Sequence, residues 1–130
     1  MGTFSVTLQV IGPDGQVEVK ALVDTGATYT MLPRPLLERL GITSMDRMRF
    51  RLADERAVTY PVGEALVAIN GRRRTTVVVF GQPEMSPVLG SVTLESFGLG
   101  VDTVNQRLVE IEALLKPSQG MRESTRFKDA

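Results

Sequence analysis

The feature that most constrains this chain is an aspartate that follows an apolar run and precedes residues with small side chains. Leu22 and Val23 are typical of the end of a buried strand, so Asp24 leaves the core where the chain turns. Gly26 permits a tight turn there because it has no β-carbon. With only a methyl group at Ala27, backbone amides can also approach the carboxylate closely. The sequence therefore predicts a preorganised carboxylate that faces a cleft.

The turn at this aspartate has two interpretations. Asp and Gly both favour turns, so Asp24, Thr25 and Gly26 alone fit an ordinary turn as well as a functional site. In the functional interpretation, Thr25 supplies a hydroxyl for a fixed hydrogen bond. Residues 28–33 are β-prone and end in proline, which puts the turn between two strands and favours function.

A second motif lies far downstream. Residues 87–90 contain an apolar pair and a glycine, and they lead into a short predicted helix over 91–98. Ser91 is its expected N-cap. This second motif also favours a functional carboxylate over an ordinary turn.

In these motifs the chain resembles the retropepsin-like aspartic proteases, the single-lobed family typified by retroviral proteases and also found in bacteria and archaea. The resemblance spans residues 4–111, and order and spacing of the motifs agree. It rests on residues 22–27, on 88–90 with Leu94 and Phe97 behind them, and on 101–108, which are similar to the family's last strand. It implies an all-β fold, a small closed β-barrel or sandwich of hairpins with one or two short helices.

Length and composition are compatible with this fold. A chain of 130 residues that is 42% hydrophobic can bury one modest core but cannot form two catalytic lobes. We expect a single protease-like domain over residues 1–112. Residues 113–130 are predicted to form a polar, mobile tail.

Charge and residue usage exclude several function classes. The 15 basic and 15 acidic residues balance, so neither nucleic acid nor a membrane is an expected partner. The absence of Cys and His removes thiol nucleophiles, Ser-His-Asp triads and the usual zinc sites, and neither metal nor cofactor is expected. No signal peptide or membrane-length apolar segment is visible, which predicts a cytoplasmic protein.

The hydrophobic pattern predicts how the aspartate is delivered. Apolar and polar residues alternate over residues 4–10, and residues 17–23 are rich in apolar residues. The two runs flank a Gly-Pro-Asp-Gly turn, which predicts a hairpin that ends at Asp24. Leucines within 34–40 share one face of a short predicted packing helix that Gly41 ends.

A further hairpin is predicted around a polar tip. Residues 49–52 and 58–62 flank this tip, which corresponds to the family's flap, a hairpin that closes over the peptide and binds its backbone. Retroviral members have several glycines there, whereas this chain has none between Gly41 and Gly63. The resemblance implies substrate contacts from the tip residues Ala53, Asp54 and Glu55. The alternative is a solvated hairpin without a binding role.

The last predicted hairpin joins residues 64–69 and 75–80. Asn70 and Gly71 are a strong turn signal. We interpret the arginines of residues 72–74 as part of a solvated loop, because a lone triplet in a neutral protein is weak support for nucleic-acid binding.

The protease mechanism needs a second carboxylate beside Asp24. Two close carboxylates cannot both ionise comfortably, so one can act as acid while the other activates water. Asp102 begins a partial repeat of the motif, but Val104 replaces the glycine and resists the same turn. The expected partner is therefore Asp24 of a second subunit in a homodimer. In the family that this chain resembles, the chain termini form a sheet between the subunits, so the resemblance makes residues 3–10 and 108–112 candidate interface segments.

The resemblance assigns roles to the neighbours of the catalytic Asp24. Thr25 and Gly26 would support the carboxylate pair, while Ala27 and Thr28 would bind an extended peptide or protein substrate. Family members often have Asp at the position of Thr28, so cleavage preference does not transfer. A water held by the pair would attack the scissile amide, and activity is expected to favour acidic pH.

The competing hypothesis is a noncatalytic β-barrel that serves as a binding or dimerisation module. In that case Asp24 only accepts hydrogen bonds from backbone amides at its turn. A stable monomer would favour this alternative, because one subunit supplies a single catalytic carboxylate.

Overall fold

A computed structural model describes residues 3–117. Its elements in chain order are β1 (Ser5–Gly12), β2 (Gly15–Val23), β3 (Thr30–Pro33), α1 (Arg34–Arg39), β4 (Asp46–Arg51), β5 (Ala57–Ile69), β6 (Arg72–Gly81), β7 (Val88–Leu89), α2 (Ser91–Ser96), β8 (Leu99–Asp102) and β9 (Arg107–Glu110). Strands dominate and the two helices have six residues each, which confirms the predicted all-β class. None of the described helices is long and apolar enough to cross a membrane.

Seven strands form one sheet that closes on itself. The sheet order is β1-β2-β7-β3-β6-β5-β4, and β1 pairs additionally with β5. This pairing closes a barrel of six strands, while β4 lies outside it and extends the hairpin with β5. The closed barrel of hairpins predicted from the sequence is confirmed. The hairpin β1-β2 ends at Val23, one residue before Asp24, as predicted.

The short strand β7 brings distant segments of the chain to the Asp24 turn. Val23 of β2 pairs in parallel with Leu89 of β7, and β3 pairs with β7 from the other side at Val88. Because α2 begins at Ser91, the start of this helix lies against the end of β2.

One apolar core fills the barrel. The largest fully buried apolar side chains come from the strands, from helix α1 and from the residue that follows α2, and they are Leu8, Val10, Leu32, Leu37, Val67, Val78, Leu89 and Phe97. Helix α1 packs through Leu37, and its C-cap residue Leu40 is buried in the same core, which confirms its predicted role. The chain leaves this helix at Gly41 with φ 80°, a conformation that favours glycine.

The predicted arginine loop is wrong. Asn70 and Gly71 alone make the turn, both at positive φ, so residues 72–74 already belong to β6. The arginines pair in register with residues 67–69 of β5. The hairpin is therefore tighter than the charged sequence indicated, because a two-residue turn is sufficient for its geometry.

Two other local predictions need correction. Gly90 rather than Ser91 is the N-cap of α2, and no side chain caps this helix. Residues 101–108 contain the end of β8, a turn and the start of β9 instead of one strand, because β8 ends at Asp102 and the chain turns there. This hairpin is a separate two-stranded sheet.

Two arginines of β6 bind the carboxyl end of α2. Arg74 donates through Nε to the Ser96 carbonyl at 3.0 Å, and its guanidinium lies 5.5 Å from the centre of the Phe97 ring. Arg72 donates to the Phe97 carbonyl at 3.0 Å. These cations satisfy carbonyls that have no partner within the helix and complement the helix dipole.

Replacing Arg74 with Ala is expected to lower the free energy of unfolding by about 1–2 kcal/mol, since a hydrogen bond and a cation–π contact are lost. Arg73 is the matched control, because it is exposed in the same strand and makes no described side-chain contact. Arg73→Ala should change stability by less than about 0.5 kcal/mol. Chemical denaturation of both variants measures the difference, and equal effects would contradict the assigned role.

The chain beyond β9 has no regular structure as far as residue 117, and all of its residues are exposed. Three large apolar side chains are among them, Ile111 at 51%, Leu114 at 88% and Leu115 at 89% exposure. The rest of the predicted tail, residues 118–130, lies outside the described residues.

Candidate active site

Asp24 occupies a tight turn between β2 and β3. Its Oδ1 accepts a hydrogen bond of 2.9 Å from the Gly26 amide, and its carbonyl accepts one of 3.0 Å from the Ala27 amide. Asp24, Thr25 and Gly26 are all exposed. One carboxylate oxygen is thus held by a hydrogen bond, while the other is exposed to solvent.

The turn is fixed at both ends by the segment around the N-terminus of α2. The Asp24 amide donates to the Leu89 carbonyl at 3.1 Å, which extends the parallel pairing of β2 with β7. The Ser91 amide then donates to the Ala27 carbonyl at 2.8 Å, and the Val92 amide to Thr28 at 2.9 Å. The free amides of a helix start therefore hold the far end of the turn.

Buried hydroxyls lie directly behind this turn. Thr30 accepts a hydrogen bond of 3.1 Å from the Gly90 amide, and its hydroxyl oxygen lies 2.6 Å from that of Thr93. Thr93 is in turn 2.9 Å from Thr76. All three threonines are buried, so they are structural neighbours of the site rather than surface groups.

A cleft of about 520 Å³ opens in front of Asp24. One wall is the Asp24 turn, including Gly26, Ala27 and Thr28. The opposite wall is the hairpin of β4 and β5. Among the residues described, the charged side chains at the lining are Asp24, Arg49 and Arg51.

Aromatic side chains connect the two walls of the cleft. Tyr29, next to the turn, meets Phe50 of β4 edge to face with ring centres 6.2 Å apart. Phe50 also lies 6.4 Å from Tyr60 of β5. These aromatic residues were not predicted to line the cleft, and neither were Met31 and Met48. The alternation of β4, in which Met48 and Phe50 are shielded between exposed arginines, is a signal that could have found them.

The predicted flap is a hairpin with a compact, charged tip. Glu55 has φ 74°, a left-handed conformation that favours glycine. Its amide donates to the Leu52 carbonyl at 2.9 Å, and Asp54 binds both the amide and the Nε of Arg56. Ala53 is exposed at the same tip.

The structure brings only part of the predicted site together. Gly26, Ala27 and Thr28 line the cleft beside Asp24. Thr25 is exposed at the turn and is not part of that lining. The tip residues Ala53, Asp54 and Glu55 also lie outside the lining in the single subunit. Within residues 3–117, no group of three acidic side chains is arranged to hold a metal ion.

Asp102 has a local role at the turn of the β8-β9 hairpin. It accepts hydrogen bonds from the side-chain amide of Asn105 at 2.8 Å and from the Val104 and Asn105 backbone amides. Arg107 lies 3.5 Å away. The bonds from Asn105, helped by the one from Val104 and by the charge of Arg107, hold the pKa of Asp102 below its usual range.

Asp102 should therefore make stability depend on pH at the acidic end. A lowered pKa in the folded state means that the carboxylate stabilises the fold above its ordinary pKa of about 3.9, and that this contribution disappears as pH falls further. Asp102→Asn is expected to lower Tm at pH 6, with a smaller difference at about pH 2.5. Glu18→Gln, at an exposed position of β2, is the control. Parallel shifts at both pH values would contradict the assignment.

The fold and the Asp24 turn together define a class of protein. A family model described as aspartyl protease matches residues 6–103. The matched segment includes the Asp24 turn, the hairpin over the cleft and the start of α2. The chain belongs to the aspartyl protease family.

Solved structures show the same fold. The simian foamy virus (mac) protease is 19% identical with a TM-score of 0.54, covering 72% of this chain and 94% of that one. The EIAV protease complexed with the inhibitor HBY-793 is 15% identical with a TM-score of 0.56, covering 88% and 94%. A Legionella pneumophila protein of unknown function is 16% identical with a TM-score of 0.52, covering 76% and 91%. At these identities the likeness establishes a retropepsin-like fold. A search of curated proteins gave no match.

Proposed function

We propose that this protein is an aspartic endopeptidase that acts as a homodimer. The observation that carries the proposal is the Asp24 carboxylate, which the Gly26 amide orients and which is exposed at one wall of the cleft. Membership of the aspartyl protease family supports the same reaction class. The substrate class is a peptide or an extended segment of a protein.

A second subunit supplies the second carboxylate in this proposal. In the described part of the chain, Asp24 is the only acidic residue that lines the cleft, so a single subunit offers half of a dyad. Asp102 is engaged at its own turn. A two-fold axis beside Asp24 would bring two identical carboxylates together, which is the commonest symmetry of soluble oligomers.

The β8-β9 hairpin and the segment that follows it are candidates for a dimer interface. The hairpin β8-β9 has no strand partner beyond its own two strands in the described residues, so its edges can accept further strands. Ile111, Leu114 and Leu115 expose apolar side chains just after this hairpin. Apolar side chains beside an unpaired edge favour association with another chain.

The proposed chemistry uses a water molecule and no covalent intermediate. One carboxylate of the Asp24 pair is ionised and removes a proton from the water, which attacks the scissile carbonyl carbon. The protonated partner donates its proton as the carbonyl oxygen gains charge. The resulting tetrahedral intermediate collapses when a proton is transferred to the departing nitrogen, which releases an amine and a carboxylic acid.

The neighbouring residues have supporting roles in this proposal. Thr25 would bind across the two-fold axis and Gly26 orients the carboxylate. Ala27 and Thr28 would contact the peptide backbone, and the flap residues Ala53, Asp54 and Glu55 would cover it when the hairpin leans inward. The aromatic and methionine side chains of the cleft favour apolar substrate side chains near the scissile bond.

Activity is expected to be highest at acidic pH and to fall as pH rises. The dyad needs one protonated and one ionised carboxylate, and the shared proton is lost in alkaline solution. The pH dependence of kcat/KM for one cleaved peptide measures this. A rate that stays flat from acidic to alkaline pH would contradict a carboxylate dyad.

The test of the proposal is cleavage of a diverse peptide library by the purified chain, with sites read by mass spectrometry and mass measured by sedimentation. Defined cleavage sites, with specific activity that rises with subunit concentration, support the homodimeric peptidase. A folded dimer that cleaves nothing would favour the noncatalytic barrel. Cleavage by a strict monomer would refute the paired Asp24 mechanism.

A further inference from the structure

We infer that Thr30 is a positioning residue that sets the geometry of the Asp24 turn through the Gly90 backbone amide. The inference rests on the proposed peptidase function and adds a residue to its machinery. It starts from a buried polar cluster that the packing of the barrel does not need.

Thr30 and Leu32 lie two residues apart in β3, so both side chains point into the core, and both are 0% exposed. Valine has the same branched shape as threonine and would fill this position without burying a hydroxyl. Thr93 and Thr76 repeat the pattern at 0% and 5% exposure. A hydroxyl at each of these positions therefore calls for a reason beyond core packing.

The hydroxyls form a chain in which the first hydrogen bond has a fixed direction. The Gly90 amide can only donate, so Thr30 Oγ1 accepts its hydrogen, and the Thr30 O–H remains free to donate to Thr93. Thr93 can then donate to Thr76. Each link satisfies a buried polar atom, and the chain connects β3, α2 and β6 behind the cleft.

Gly90 is the junction between the two sets of bonds that hold the Asp24 turn. The residue before it accepts from the Asp24 amide, and the two residues after it donate to Ala27 and Thr28. Gly90 has no side chain to fix its orientation. The Leu89 carbonyl of this peptide unit is held by the Asp24 amide, and the hydrogen bond to Thr30 is the side-chain contact that fixes its Gly90 amide, next to the amides that clamp the turn.

A small displacement at this junction would move the carboxylate. Catalysis by a carboxylate pair depends on the distance and angle between the two groups and the bound water. A misplacement of about 1 Å by a residue remote from the chemistry can reduce the rate about a hundred-fold. Thr30 is remote from substrate, because it is buried and does not line the cleft.

The experiment compares Thr30→Val with Thr76→Val, using the full chain and a peptide identified as its substrate. Both variants remove one buried hydroxyl of the same network, so each is expected to lower Tm by several degrees. Thr30→Val should also reduce kcat about ten- to a hundred-fold with KM changed less than about two-fold. Thr76→Val should keep kcat within about two-fold, because the described hydrogen bond of the Thr76 hydroxyl is to Thr93 and not to Gly90 or the turn.

Serine and alanine at position 30 provide a second pair that differs only in the hydroxyl, in case the valine variant does not fold. Thr30→Ser should retain most of kcat, whereas Thr30→Ala should lose about ten-fold or more. Hydrogen exchange of the Gly90 amide, followed by NMR, should accelerate in Thr30→Ala and stay slow in Thr30→Ser. Equal kcat within either pair, with cleavage by the wild type, overturns the positioning role alone. No cleavage by the wild type overturns the proposed function and the positioning role with it.

Discussion

Replacing Asp24 with Asn is expected to reduce kcat/KM by about a thousand-fold while the fold and the dimer persist. General acid–base groups contribute factors of about 10² to 10⁴, and this substitution removes both members of a symmetric pair at once. Asn has the same shape, and its Oδ1 can still accept the hydrogen bond from the Gly26 amide. Rates on one defined peptide, together with sedimentation of the variant, measure the effect.

A mixture of wild-type and variant subunits tests whether the two Asp24 carboxylates act as a pair. If each active site needs Asp24 from both subunits, an equal mixture of wild-type and Asp24→Asn chains keeps about one quarter of the activity after random exchange. Independent active sites in each subunit would keep one half. Asp46→Asn is a suitable control, because Asp46 is an exposed carboxylate that does not line the cleft. Full activity of Asp24→Asn would refute the catalytic assignment.

The Asp24 turn could be predicted from the sequence because its determinants are local. An apolar strand, a turn-forming aspartate and Gly26 stand within five residues, and alternation specified the hairpin that delivers them. The glycine after β7 was also visible as a motif. The sequence did not indicate why a glycine stands at this position. The structure does, because the neighbours of this glycine, Leu89 and Ser91, form hydrogen bonds with the two ends of the Asp24 turn.

The rest of the site depends on contacts between residues far apart in sequence. Thr30 and Thr93 are 63 residues apart, and a single threonine in a β-prone run gives no sign of its partner. Arg74 was taken for a loop residue because its contact with Ser96 spans 22 residues. Likewise, the alternation in β4 predicts a strand but not that Phe50 reaches Tyr29 across the cleft. These contacts form only when the barrel closes and brings distant strands together.

Gly90→Ala is expected to be among the most damaging single substitutions in this protein. A β-carbon there would lie 2.5 Å from the carbonyl carbon of Tyr29 and 3.0 Å from the Ala27 carbonyl oxygen. Both are backbone atoms of the Asp24 loop and cannot rotate away as a side chain can. The φ of Gly90 is −97°, so the obstacle is space and not backbone conformation.

The loop can accommodate the added carbon only by moving away from α2, which would break the bonds from Ser91 and Val92 that hold it. Overpacking of this kind costs about 1–3 kcal/mol and sometimes more, and we expect a loss near the upper end. Gly100→Ala is the matched control, because its β-carbon meets only the Ile111 side chain, which can rotate. Urea unfolding should separate the two variants by about 2 kcal/mol. Where Gly90→Ala still folds, kcat should fall about a hundred-fold, since the hydrogen bonds from Ser91 and Val92 and the carboxylate would move together. A kcat close to that of the wild type would mean that the Asp24 turn does not depend on α2.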